Sequence, residues 1–161
     1  MANNTMFRAD NLAGTKDGKF LVSVRITTDI DNGMLVVPGA YESGSREVRT
    51  YTKPAANTPL SSLAILGSEE VDKTTSFNTV GGFTNRAKTV GRAYFLDGKD
   101  MFSVTAGAFD TAPAVGKIIE AQADYKMKVV DSLTSGSTKI GECIAVETDG
   151  ATTWYVIRVA G

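Results

Sequence analysis

Phe20, Val22, Val24 and Ile26 fall on one side of an extended chain, and Ser23, Arg25 and Thr27 on the other. A period of two predicts a half-buried β-strand over residues 20–27. The Asn32-Gly33 step that follows favours positive backbone φ and predicts a tight turn. Met34, Leu35, Val36 and Val37 then read as a short buried strand stopped by Pro38-Gly39. Residues 46–52 read as a polar strand near an edge, and two prolines make 54–59 a loop. Residues 60–71 fit a short helix or a strand, with strand preferred. Segments 92–96 and 101–105 flank Asp97-Gly98-Lys99-Asp100, a pattern that predicts a hairpin.

After an Ala- and Gly-rich loop over 106–115, four strands are expected near 118–119, 125–129, 140–146 and 154–159. Asp149-Gly150 joins the last two. Short strands at spacings of roughly ten residues predict a mainly β protein, a small barrel or sandwich of antiparallel strands. Residues 20–161 form this β-rich domain, with 106–115 as the candidate boundary of a closing subdomain. Residues 1–19 are polar, hold Gly14 and Gly18, and are expected as an extended N-terminal arm that orders only when something holds it. No helical period is sustained and no internal repeat stands out.

Composition narrows the partners. The chain has 161 residues, enough for one domain with a real core or two very small ones. Lys plus Arg number 17 against 18 acids, so neither nucleic acid nor an anionic membrane is an expected partner. No apolar run is long enough for a membrane-spanning helix, and residues 1–7 have neither the basic start nor the apolar stretch of a secretory leader. Cys143 is the single cysteine, which rules out an internal disulfide. It lies in an alternating run and reads as ordinary strand packing.

Candidate chemistry is thin. The chain has no histidine, which removes Ser-His-Asp and Cys-His catalysis and histidine metal sites. Gly14-Thr15-Lys16-Asp17-Gly18-Lys19-Phe20 departs from a phosphate loop in its glycine spacing, in having Phe after the lysine, and in preceding a strand. Asp29, Asp31, Asn32 and Gly33 resemble part of a calcium loop, but position 39 is glycine where the bidentate glutamate belongs. A turn whose side chains bond the backbone is preferred. Glu69 and Glu70 are adjacent and diverge in strand or helix, so they make no acid–base pair. Asn3-Asn4-Thr5 matches a glycosylation acceptor but lacks a leader beside it. Arg86, Lys88 and Arg92 form a modest basic stretch without an aromatic stacking platform. No enzymatic activity, cofactor or metal is expected.

The run Val24-Arg25-Ile26-Thr27-Thr28-Asp29-Ile30-Asp31-Asn32-Gly33-Met34-Leu35-Val36 resembles the start of small head proteins of tailed bacteriophages, the head decoration or cement proteins. Asp100-Met101-Phe102-Ser103-Val104-Thr105 and Pro113-Ala114-Val115-Gly116-Lys117-Ile118-Ile119 are similar to later stretches of the same proteins. The resemblance implies a structural virion protein, present in the host cytoplasm during assembly. It would bind the outer face of the capsid and stabilise it by bridging capsomers. The implied partner is the major capsid protein, with self-association as a homo-oligomer also open. Met6 and Phe7 in the arm either anchor in a partner's groove or cover the domain's own core. The alternatives are a head fibre, a tail subunit, or a carbohydrate-binding β-sandwich using Trp154, Tyr155, Tyr94 and Tyr51. A major capsid protein is disfavoured by the short chain and the lack of a long helix.

Overall fold

A computed structural model describes residues 4–71 and 80–161. In chain order its strands are β1 (Phe7–Asn11), β2 (Leu21–Arg25), β3 (Leu35–Tyr41), β4 (Val48–Thr52), β5 (Ala64–Leu66), β6 (Val90–Phe95), β7 (Met101–Val104), β8 (Ile118–Glu120), β9 (Lys128–Val130), β10 (Lys139–Asp149) and β11 (Thr152–Val159). Single 3-10 turns are the helical elements among the described residues. The protein is mainly β, with a closed five-stranded barrel, β2-β4-β3-β5-β6, and a six-stranded sheet, β1-β7-β11-β10-β8-β9. Among these strands all pairings are antiparallel except β2 with β4.

Alternation along the barrel strands sorts residues into two cores. Val22, Val24, Ile26, Val36, Ala64, Leu66 and Ala93 fill the barrel interior. Leu35, Leu63, Ile65 and Leu96 point the other way and pack on Phe102, Val104, Ile119, Met127, Ile140, Cys143 and Ile157 of the sheet. One wall of the barrel is therefore buried on both faces. That explains the continuous apolar run Leu63-Ala64-Ile65-Leu66, whose lack of alternation left helix and strand open at residues 60–71. A 3-10 turn over Leu60–Ser62 leads directly into β5.

Residues 46–52 are not at an edge, because β4 pairs with both β2 and β3 in the closed barrel, and three further expectations need correction. The pair flanking Asp97–Asp100 is not a hairpin: β6 pairs with β2 and β5, while β7 pairs with β1 and β11. Barrel closure uses both edges of β6, so β7 has no edge to join there. The turn instead carries the chain from barrel to sheet, ahead of the 106–115 segment proposed as a boundary. Asp100 ties this crossing together. Its carboxylate accepts the Asp97 N–H (3.1 Å) and the Ala13 N–H (3.0 Å).

Second, β3 runs through Pro38 to Tyr41, and a register shift against β4 between Pro38 and Tyr41 absorbs the missing donor. Third, residues 4–19 are not an arm standing off the body. β1 pairs with β7, and 3-10 turns at Ala13–Thr15 and Gly18–Phe20 carry the chain into β2. What holds the segment is its own chain. Elsewhere the Asp149-Gly150 step closes the β10–β11 hairpin as expected, with Gly150 at φ 58.

Candidate functional site

Met6 and Phe7, expected either as a partner anchor or as core cover, are both buried. The Phe7 ring sits between Tyr94 of the barrel (ring centroids 5.9 Å apart) and Phe102 of the sheet (6.4 Å). A Cβ on Gly67 would collide with the Phe7 ring and come within 2.9 Å of Tyr94, so only glycine leaves room for this wedge. The Thr5 N–H donates to Asp31 (2.9 Å) and the Met6 N–H to the Thr105 hydroxyl (3.0 Å). The two side chains serve the domain's own core and are not available as an anchor.

The acidic turn after β2 is likewise spent on bracing. Asn32 is buried; its amide donates to the Ser68 carbonyl (2.9 Å) and accepts the Ser68 N–H (3.0 Å) and the Asn85 amide (3.0 Å). Asp29 accepts the Ala87 N–H (2.8 Å), and Gly33 takes the positive φ of 81° that its turn requires. These contacts match the backbone-bonding turn preferred from sequence. At residues 14–20 the Asp17 side chain accepts the Lys19 N–H (3.1 Å), a turn cap rather than a phosphate cradle.

Glu69 meets Arg92 (3.3 Å), and Arg86 lies 3.9 Å from Asp29. The basic stretch does border an aromatic, because Phe83, Val90 and Arg92 share a groove of about 540 Å³ on the barrel. Phe83 is itself buried and offers no open stacking face. The proposed sugar platforms are also engaged. Tyr51 is buried against Tyr125, Tyr155 packs edge-on to Phe109, and Arg8 covers Trp154 at 5.1 Å. Asn3 lies outside the described residues. Cys143 is fully buried in β10, and burial pushes its thiol pKa up.

Sequence reasoning missed Glu120. Fully buried on β8, it accepts from the Lys128 ammonium (2.9 Å), the Thr134 N–H (2.9 Å) and the Thr134 hydroxyl (2.8 Å), pinning the loop after β9 to the sheet. Burial alone raises its carboxyl pKa, but these donors outweigh it and hold the group below the usual carboxylate range. Asp100 goes the other way, because burial raises it more than the Asp97 and Ala13 amides lower it.

The signs follow by linkage. Glu120 stabilises the fold above its unfolded pKa and loses that contribution as pH falls through the lower folded value. Asp100 stabilises below its unfolded pKa and loses that contribution as pH rises through the higher folded one. In urea titrations between about pH 3 and 7, Glu120→Gln should therefore flatten the acid-side loss of stability, and Asp100→Asn should steepen it. Parallel curves for wild type and both variants would refute the assignment.

No protein-family model matches the chain, and no curated protein matches it. Its chemistry must be read from its own surface. The surface feature that stands out is the β10–β11 ribbon. Arg8 braces it, reaching Glu147 (2.8 Å) and Asp10 (2.7 Å), while the Ser103 hydroxyl donates to Asp10. The ribbon then extends past β8, whose register with β10 ends at Glu142, and past β7, whose register with β11 ends at Tyr155. Val146 is 42% exposed on it.

Proposed function

We propose that the chain is a head decoration protein of a tailed bacteriophage, which binds the outer surface of the assembled capsid and bridges neighbouring capsomers. It acts by binding alone, on the virion, with the major capsid protein as partner. The sequence resemblance motivates this assignment, and the internally braced construction of the body is the observation that carries it. Barrel and sheet are joined by the core packed between them. The buried polar side chains of Asn32, Asn85, Asp100 and Glu120 brace backbone and neighbouring side chains instead of converging on a reaction centre.

A clamp works by such bracing. A ligand that binds the expanded shell in preference to its dissociated parts shifts the equilibrium toward the shell by mass action. Ordering entropy spent at the moment of binding would weaken the clamp, and a pre-formed β body avoids that loss.

Purified protein incubated with expanded empty capsids of the phage that encodes it should bind saturably and raise the temperature at which the shells come apart. Absence of binding would reject the assignment. A glycan array provides the contrast, since a carbohydrate-binding module would give its signal there and not on particles.

A further inference from the structure

We propose that the free edge of the β10–β11 ribbon, at Val146 and Thr148, accepts an extended, basic segment of the shell protein as an added antiparallel strand. This rests on the decoration assignment for the partner's identity, while the site itself is argued from this chain. Along β10 the side on which each amide points can be followed residue by residue. Ile140 O accepts from Ala160 N–H (2.8 Å), so Ile140 faces β11. The Cys143 N–H donates to Lys117 O (3.0 Å) and Cys143 O accepts from Gly116 N–H (2.8 Å), so Cys143 faces the β8 side.

A bulge between Cys143 and Ala145 resets the alternation. Beyond it Ala145, Glu147 and Asp149 face Val156, Trp154 and Thr152, which turns the backbone groups of Val146 and Thr148 outward. No described residue pairs with them there.

The edges outside the ribbon are blocked. The barrel has none. At β9 the Val129 N–H donates to the Asp110 carboxylate (3.0 Å) and Asp110 N–H to Met127 O (2.9 Å), which occupies that edge. β1 is short and irregular in register, a usual protection for an edge strand. At 146–149 the edge is regular, and exposed Val146 would be covered by a strand laid beside it.

Charge selects the occupant. Two copies paired antiparallel through both amides would set Glu147 against Glu147, or Glu147 against Asp149, bringing carboxylates together with only Arg8 of each copy to offset them, and like charges directly opposed destabilise a sheet. Asp149 has no ion-pair partner among the described residues. A strand from another protein, with Lys or Arg opposite Asp149, satisfies both the amides and the charge.

Thr148→Pro removes one outward N–H and leaves the β10–β11 bonds alone, while Thr148→Ala keeps it. Val146→Lys puts a cation at an exposed position of the same edge and serves if the proline disturbs the ribbon. On expanded capsids, Thr148→Pro and Val146→Lys should each raise the half-saturating concentration about tenfold, with Thr148→Ala close to wild type. Amide exchange at Val146 and Thr148 should slow in particle-bound wild type. Equal binding by wild type and both edge variants, or unchanged exchange, would overturn strand addition and leave the decoration assignment standing. Failure of wild type to bind would overturn both.

Discussion

Phe7→Ala should destabilise the protein by about 3–5 kcal/mol, the usual cost of emptying a well-packed aromatic site. The ring lies between Tyr94 and Phe102, so it joins barrel to sheet, and Gly67 leaves no side chain to collapse into the space. A urea midpoint corresponding to less than about 0.5 kcal/mol of change, the range of ordinary surface substitutions, would show that Phe7 is dispensable to the fold. Phe7→Leu should recover much of the loss, because most of the buried volume returns. An anchor reserved for a partner would behave differently, with normal stability and weakened particle binding.

The second large effect is expected at Asn32. Asn32→Leu keeps the volume but leaves the Ser68 N–H, the Ser68 carbonyl and the Asn85 amide short of a partner. Each buried polar group left unmade costs about 1–3 kcal/mol, so a loss of about 3 kcal/mol is expected even if part of the site relaxes. Asn85→Leu alone should also destabilise, since its amide bridges Asn32 and the Ile30 carbonyl. The double variant should fall short of the sum of the singles, because the two amides share one bond. Strict additivity would mean that the two side chains act separately and that the network is not a unit.

Much of the fold was legible where one face of a strand meets solvent. The alternation from Phe20 to Thr27 marks β2, and Asp149-Gly150 marks the β10–β11 turn. Legibility failed where burial is two-sided, as at Ala64–Leu66, because no polar beat survives there to set the period. It failed again at Asp97–Asp100. Turn residues report that the chain bends, not which strands it then joins, and barrel closure decided that. Phe7 was ambiguous because the Met6-Phe7 pair stands in a polar stretch, and Tyr94 and Phe102 lie far along the chain.

The candidate docking edge was half legible. The hairpin turn is written in Asp149-Gly150, but the early end of β8 is set by the Gly116 turn, and only the assembled sheet reveals the overhang. Glu120 was hidden for a related reason. Its carboxylate looks like any strand-end charge until Lys128 and Thr134 fold over it.

The sheet draws its first strand from the start of the chain and the rest from beyond Asp97, with the whole barrel interposed. Synthesis on the ribosome runs from the N-terminus, so the five barrel strands emerge before β7 exists. Until Met101–Val104 appears, β1 has no strand to pair with, and the outer wall of the barrel at Leu35, Ile65 and Leu96 lacks the cover that the later strands supply. The newborn barrel thus waits with a sticky flank, and the order of translation makes the sheet close after the barrel.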